Sequence, residues 1–233
     1  MSLLDLLFPK HCVGCRKIGG YLCDTCFSYI SFIETGVCVV CQRAAIGGLT
    51  HPACKTKYTI DGVFSSVIYK GVVKKLIYNF KYAPFLTDLR SLLVELFYEG
   101  IIQKEEFLKN LENESIFIPV PLHASKLRKR GYNQASLLAL GLCEKLQETQ
   151  VIDCLMRSKN TQTQISLTQA KRLDNVKDAF SLKKEHFLTT RNYNHVFLVD
   201  DVLTSGATLR EAAKVLKRAG VKKVWGITLA HGQ

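Results

Sequence analysis

The sequence predicts an α/β fold, in which helices flank a parallel sheet, preceded by a small cysteine-rich domain. Short apolar strands alternate with amphipathic segments along most of the chain, and this order is typical of parallel sheets. Seven of the nine cysteines lie before residue 55, which sets the first part of the chain apart chemically. We therefore expect a metal-binding domain over residues 1–58 and an α/β domain over residues 59–233.

Eight candidate metal ligands form four pairs, with two residues between the members of each pair. They are Cys12 and Cys15, Cys23 and Cys26, Cys38 and Cys41, and His51 and Cys54. This spacing lets one tight turn present two ligands to a tetrahedral Zn²⁺, and imidazole is an acceptable replacement for a thiolate. We expect two closed zinc sites that stabilise the fold rather than catalyse a reaction. Sequential and crossed groupings of the pairs are both open.

The rest of the chain alternates between apolar runs of strand length and segments with helical periodicity. In chain order we predict a strand over residues 61–69, helices over 71–82 and 85–99, a short helix or loop over 105–114, a strand over 115–122, a helix over 133–146, and strands over 196–199 and 222–230. Between them, residues 154–164 are predicted to be a mobile loop and residues 166–176 a short basic helix. This arm could close over a bound pyrophosphate or be a plain linker.

Residues 196–208 carry the strongest functional pattern in the chain. The strand ends in Asp200 and Asp201, and a turn of small residues, 204–208, leads into an amphipathic helix closed by Gly220. Free amides at a helix N-terminus, with hydroxyl groups beside them, suit a phosphate, and an acidic pair at a strand end can accept hydrogen bonds from vicinal sugar hydroxyls. We predict a phosphosugar site, against the alternative of an ordinary strand–helix unit with exposed aspartates.

Basic residues are concentrated in the middle of the chain. Arg128 and Arg130 follow a proline-flanked strand end, and guanidinium groups can grip a pyrophosphate bidentately. The helix over residues 71–82 has a basic face with Tyr78 and Tyr82 available to stack on bases, although a solvated face is the simpler explanation. The candidate DNA contacts are Lys74, Lys75, Lys81, Lys129 and Arg157.

The net charge of +12 favours a polyanionic partner, either nucleic acid or an anionic membrane surface. The long apolar stretch over residues 86–102 contains four charged side chains and is not expected to span a bilayer. Residues 1–8 lack the basic segment and cleavage site of a signal peptide. We expect a cytoplasmic protein, with peripheral attachment at the inner membrane as an open alternative.

Together these motifs resemble the ComF family, or competence protein F, over nearly the whole chain. The most specific matches are Arg-x-Arg-Gly-Tyr-Asn-Gln-Ala at residues 128–135 and Asp-Asp-x3-Ser-Gly-x-Thr at residues 200–208, together with the four ligand pairs. The second motif is similar to the 5-phosphoribosyl-1-pyrophosphate (PRPP) signature of type I phosphoribosyltransferases. His51 is a departure, because the family usually has cysteine there. The resemblance implies a double zinc ribbon joined to a type I phosphoribosyltransferase-like sheet.

The resemblance also implies residue roles in PRPP binding. Asp200 and Asp201 would contact the ribose hydroxyls as the catalytic pair, and the turn at residues 204–208 would hold the 5-phosphate. Mg²⁺ would bridge pyrophosphate and ribose oxygens, largely through water. The implied PRPP-binding residues are Val199, Asp200, Asp201, Val202, Leu203, Thr204, Ser205, Gly206, Ala207, Thr208, Val120, Pro121, Leu122, His123, Arg128 and Arg130.

Three functions fit these observations. The first, implied by the family, is a protein of natural transformation that handles incoming single-stranded DNA and binds PRPP; its partners would be a helicase-like competence protein and a recombination mediator of the uptake machinery. The second is an active phosphoribosyltransferase with an unidentified acceptor. The third is a structural zinc adaptor with a vestigial pocket, which the intact motif at residues 200–208 disfavours.

Overall fold

The computed structural model describes residues 9–82, 87–111, 115–147, 149–159, 176–183 and 195–232. The expected arm over residues 166–175 lies outside them, as do residues 1–8 and the predicted start of the second helix at residues 85–86.

A five-stranded parallel sheet forms the centre of the molecule, in the order β1-β7-β6-β2-β3. Its strands are β1 (Gly62–Ile68), β2 (Ile116–Pro119), β3 (Gln150–Val151), β6 (His195–Leu203) and β7 (Lys223–His231). The strands β4 (Leu155–Arg157) and β5 (Phe180–Leu182) form a separate antiparallel pair. The predicted α/β class with a parallel sheet is confirmed.

Helices cover both faces of this sheet. They are α1 (Asp24–Phe27), α2 (Gly71–Lys81), α3 (Leu89–Ile101), α4 (Glu105–Asn110), α5 (Ala124–Arg130), α6 (Gln134–Leu146) and α7 (Ala207–Arg218), with 3-10 turns at Ile46–Gly48 and Pro52–Cys54. Helix α6 begins where the sequence predicted, because the Asn133 side chain accepts a hydrogen bond from the Ala135 N–H. Helix α5 lies in a stretch for which the sequence predicted no helix, and Gly131 ends it in the left-handed conformation.

Two apolar clusters, one on each face of the sheet, form the core. Successive strand residues point to opposite faces, so Phe197 packs with α2, α3 and α6, whereas Leu198 packs with α7. On the first face, the ring of Phe197 lies edge-on to those of Phe107 and Phe117, with centroids 5.3 and 5.7 Å away. The sheet is therefore buried on both sides, as parallel sheets require.

The cysteine-rich segment is attached to the outer strand β1. The N–H of Thr50 donates to the carbonyl of Asp61 over 2.9 Å, and the N–H of Ile33 donates to the carbonyl of Ser66 over 2.8 Å. These backbone bonds hold the segment against the edge of the sheet. Among the residues described above, no helix is both long and apolar enough to cross a membrane.

The helices α3 and α6 approach closely at Gly141. A Cβ atom at this position would lie 2.3 Å from a methyl group of Val94. We expect Gly141→Ala to lower the free energy of unfolding by about 1 kcal/mol net, because overpacking of ~1–3 kcal/mol outweighs the gain in helix propensity. In a Val94→Ala background the same change should be neutral or stabilising. Urea unfolding measures both, and equal effects in the two backgrounds would contradict this packing.

Candidate functional site

The cysteine-rich segment contains two four-ligand clusters. Cys12, Cys15, Cys23 and Cys26 form one cluster, and Cys38, Cys41, His51 and Cys54 form the other. Within each cluster the ligand atoms lie within 4.8 Å of one another, a separation that fits the edges of a zinc tetrahedron. The pairs are thus grouped sequentially, and the crossed grouping is not what the fold adopts.

His51 is oriented as a zinc ligand should be. Its Nδ1 lies 3.3 Å from the sulfur of Cys41, and its Nε2 lies 3.0 Å from the carbonyl oxygen of Ala44. A carbonyl accepts a hydrogen bond only from a protonated nitrogen, so this contact places the proton on Nε2 and leaves Nδ1 free to bind a metal. The substitution of histidine for cysteine therefore keeps the fourth ligand.

Backbone amides in the tight turns favour the thiolate forms. Burial alone would raise the pKa of Cys12, but hydrogen bonds from the N–H groups of Cys15, Cys23 and Gly14 lower it to about 6. The N–H of Arg43 is the main cause that lowers the pKa of Cys41 to about 7. Thiolates are the form that binds zinc, so the turns at Cys12 and Cys41 are suited to their ligand role, whereas burial and the neighbouring thiols raise the pKa of Cys54 to about 11.

A cavity of about 480 Å³ opens at the carboxyl ends of β2 and β6. Acidic, basic and aromatic side chains line it together with the turn before α7. The lining residues are Tyr69, Lys74, Tyr78, Lys81, Tyr82, Val120, Pro121, Leu122, Lys126, Lys129, Arg130, Gln134, Arg157, Asp200, Asp201, Val202, Leu203, Thr204, Gly206, Ala207, Thr208 and Leu209. Its position is the one at which parallel α/β sheets place ligands.

Asp201 forms a buried ion pair with Lys81. The lysine Nζ lies 2.8 Å from Asp201 Oδ2, and the two side chains are 19% and 5% exposed. Burial alone would lower the pKa of Lys81, but the charge and hydrogen bond of Asp201 leave it raised. The sequence interpretation placed Lys81 on an exposed DNA-binding face. That interpretation is corrected, because the side chain turns into the pocket to pair with Asp201.

Asp200 is held at the same pocket wall in a less favourable electrostatic setting. One of its carboxylate oxygens accepts a hydrogen bond from the N–H of Asp201 over 2.9 Å. Burial, followed by repulsion from Asp201, raises its pKa from 3.8 to about 7, although Lys81 and Arg157 oppose this shift. A carboxylate in this position would gain from a ligand that donates hydrogen bonds to it.

The turn before α7 and the first residues of that helix line the cavity. Gly206 adopts a left-handed conformation with φ of 70°, and the helix begins at the next residue. The Ser205 hydroxyl accepts a weak hydrogen bond from the Ala207 N–H over 3.4 Å. The N-terminal residues of this 12-residue helix therefore line the pocket, and a helix N-terminus is a favourable place for an anion.

Basic side chains also line the pocket. The guanidinium of Arg130 lies 5.6 Å from the centroid of the Tyr82 ring, and that of Arg157 lies 5.2 Å from the Phe180 ring. Burial, together with the positive charges of Arg157, Arg130 and Lys81, lowers the pKa of Lys126. So much positive charge around one partly buried lysine favours a polyanion in this part of the pocket.

Most of the sequence-predicted PRPP residues line this cavity, and four do not. Val199 and Ser205 are buried behind it, Arg128 is exposed away from it, and His123 caps α5 by accepting a hydrogen bond from the Ser125 N–H over 3.2 Å. Four of the five candidate DNA contacts line the pocket: Lys81, Lys129 and Arg157, and Lys74, which also lines the groove described next. Sequence reasoning gave no pocket role to Tyr69, Lys126 and Gln134, although Gln134 lies within the motif at residues 128–135.

A second groove, with a larger volume of about 760 Å³, lies between the first zinc cluster and α2. Its lining residues are Pro9, Lys10, His11, Val13, Gly14, Arg16, Tyr21, Lys74, Lys75, Tyr78 and Asn79. Lys74 and Tyr78 line both cavities, so the groove and the pocket adjoin.

The raised pKa of Asp200 predicts a pH-dependent stability. Between pH 3.8 and about 7 the folded chain holds a proton that the unfolded chain has released, so stability falls as the pH rises through this range. We expect Asp200→Asn to be more stable than the wild type at pH 8 by ~1 kcal/mol, after allowance for solvent screening, and the difference to vanish at pH 4. Urea unfolding at both pH values, with the exposed Asp153→Asn as control, measures this, and a wild type as stable as Asp200→Asn at pH 8 would contradict it.

Comparison with known proteins assigns both parts of the chain. Residues 3–55 match the family described as a double zinc ribbon domain, and residues 129–232 match the family described as a phosphoribosyl transferase domain. The chain is 43% identical to competence protein F of Haemophilus influenzae over 117 residues, which is 48% of this chain and 49% of that protein. This match therefore spans about half of each protein.

Two further relatives match over most of their length. The chain is 27% identical to the DNA utilization protein YhgH of Escherichia coli O6:H1 over 219 residues, covering 87% of this chain and 93% of the relative. It is 26% identical to competence protein ComFC of Bacillus subtilis over 235 residues, covering 93% and 82%. The ComF resemblance is thus confirmed: the chain combines a double zinc ribbon with a phosphoribosyltransferase domain and is homologous to competence protein F, ComFC and YhgH.

Proposed function

We propose that this protein binds PRPP in the pocket and single-stranded DNA in the adjoining groove, as a component of DNA uptake in natural transformation. The observation that carries the proposal is the convergence of three elements on one cavity: the acidic pair, the residues at the start of α7, and the basic side chains. These are the three chemistries that a phosphorylated sugar with a pyrophosphate group requires.

In this proposal the ribose, the 5-phosphate and the pyrophosphate of PRPP each bind a different group of pocket residues. The ribose hydroxyls donate to Asp200, whose raised pKa reports an unfavourable negative charge that such donors would stabilise. The 5-phosphate accepts hydrogen bonds from the amides of residues 206–208, and the pyrophosphate meets Lys126, Arg130 and Arg157. Mg²⁺ suits this pocket because the Asp200 carboxylate is a hard oxygen ligand, and the ion would neutralise charge on the pyrophosphate while keeping several waters.

The groove has the chemistry of a single-strand binding site. Its lining includes several cations and two tyrosines but neither Asp nor Glu among the described residues. Lys75 donates to the carbonyl of Gly14 over 3.1 Å, which positions its charge at the groove, and the exposed ring of Tyr78 is available to a base. Cations that follow a phosphate backbone, with aromatic rings between them, bind single strands with little sequence preference.

The names of the relatives support a place in DNA handling, since they include competence proteins and a DNA utilization protein. The partners that follow from this role are a helicase-like competence protein and a recombination mediator. The same basic surface would also serve a peripheral attachment to anionic lipid at the inner membrane. Both interactions belong to the proposal.

A second candidate function is phosphoribosyl transfer to an acceptor. The observation that favours it is that groove and pocket share Lys74 and Tyr78, so a group on a bound strand could reach the sugar site. In that reaction the bond between ribose C1 and the pyrophosphate oxygen breaks with both electrons leaving on pyrophosphate, and a nucleophilic nitrogen or oxygen of the acceptor bonds to C1. Release of pyrophosphate that depends on a base or a strand distinguishes this enzyme from a binding protein.

Removal of the acidic pair should abolish PRPP binding. We expect Asp200→Ala with Asp201→Ala to weaken PRPP at least 100-fold in calorimetry with Mg²⁺, because the ribose hydroxyls lose their acceptors. Asp153→Ala, at an exposed position, is the matched control. Both variants should retain two zinc ions per chain. Unchanged PRPP affinity in the double variant would refute the site.

A charge reversal in the groove should weaken DNA binding without affecting PRPP. We expect Lys75→Glu to lower the affinity for a fluorescent single strand and to reduce the salt dependence by about one phosphate contact or more. Lys222→Glu changes the net charge equally, at an exposed position outside the groove, and should bind normally. An equal loss of DNA affinity in the two variants would show that binding depends only on the overall charge of the protein and would contradict a site in the groove.

A further inference from the structure

The tight turn of the second zinc cluster lies directly against the turn before α7. Val39 and Val40 are the two residues between the zinc ligands Cys38 and Cys41, and Val39 is fully buried. A Cβ atom on Gly206 would lie 2.5 Å from a methyl group of Val39 and 2.8 Å from its carbonyl oxygen. The glycine is therefore required both by its positive φ and by the closeness of the zinc-binding turn.

Gln42 links the same two turns by hydrogen bonds. Its side-chain amide donates to the carbonyl of Val39 over 3.0 Å and to the carbonyl of Ser205 over 3.4 Å. Its own backbone is held in a left-handed conformation, with φ of 61°, and its N–H donates to the carbonyl of Cys38 over 2.8 Å. A non-glycine residue seldom adopts this conformation without a constraint, and here the zinc-binding turn supplies one.

The contact is part of the core rather than a surface encounter. Val39 belongs to the same apolar cluster as Leu203 and Leu209, which flank the turn before α7 on either side. Ser205, between them, is only 5% exposed. The backbone that faces the phosphate subsite is thus packed from behind by the segment that two zinc ligands hold in shape.

We infer that the second zinc ribbon is a positioning device for the phosphate-binding turn, with Val39 and Gln42 as the positioning residues. The amides of residues 206–208 can bind an anion only while Gly206 keeps its left-handed conformation, and the zinc-binding turn fixes that conformation from the side opposite the ligand. The first ribbon contributes instead a wall of the neighbouring groove, through Val13, Gly14 and Arg16. The two zinc ions therefore support different sites. This inference rests on the proposed function only in naming the bound anion as the 5-phosphate of PRPP.

Hydrogen exchange of the peptide that contains residues 204–210 tests this inference in the zinc-loaded full chain, without any ligand. We expect Val39→Ala with Gln42→Met to accelerate exchange of this peptide at least threefold, whereas Val40→Ala with Gln150→Met, a control of matched size, leaves it unchanged. Cys41→Ser should lose one zinc ion and accelerate the same peptide, and Cys15→Ser should lose one zinc ion and leave it unaffected. Exchange in the Val39/Gln42 variant equal to that of the wild type would overturn the inference.

PRPP titration with Mg²⁺ adds a second readout. We expect the Val39/Gln42 variant to bind PRPP at least 10-fold more weakly than the Val40/Gln150 control at a temperature at which both variants are folded. Should the wild type bind no PRPP, the proposed function would fail, and the exchange of residues 204–210 would still decide whether the zinc-binding turn positions the phosphate turn.

Discussion

The buried ion pair between Lys81 and Asp201 is the contact on which the arrangement of the site depends. It joins the end of α2 to the extended part of β6 at a place where neither charge could be buried alone without a large desolvation cost. Because Lys81 is drawn into the pocket, α2 is oriented so that Lys74 and Tyr78 lie where pocket and groove meet. One helix thus forms part of both cavities.

The ion pair between Lys81 and Asp201 also gives the two neighbouring aspartates, Asp200 and Asp201, different electrostatic surroundings. Asp201 has a cation at 2.8 Å, whereas burial and the neighbouring carboxylate raise the pKa of Asp200 to about 7. A site that holds one carboxylate in an unfavourable state trades folding stability for affinity.

Much of the architecture could be predicted from the sequence, because the signals were local. The metal ligands of each pair are separated by only two residues, so the pairs can be recognised directly. Strand β6, the turn of small residues and helix α7 follow one another without interruption and form a continuous motif. His51 could be assigned from its place in the fourth pair alone. Helix α5 could not, since its Ala-Ser-Lys-Leu-Arg-Lys-Arg sequence contains too few apolar residues to show a helical period.

The parts that sequence could not supply depend on contacts between distant segments. Lys81 has the same local pattern as Lys74 and Lys75, and only its pairing with a residue 120 positions later takes it into the pocket. Gln42 lies 163 positions from Ser205 and belongs to no motif. Such residues become visible only when the fold brings their partners to them.

The most direct test of the central claim is a crystal structure with PRPP and Mg²⁺ bound. We expect ribose hydroxyl oxygens within hydrogen-bonding distance of Asp200, the 5-phosphate on the amides of residues 206–208, and the pyrophosphate towards Arg130 and Arg157. A ligand bound elsewhere, with Asp200 facing solvent and the turn before α7 free of phosphate, would contradict it.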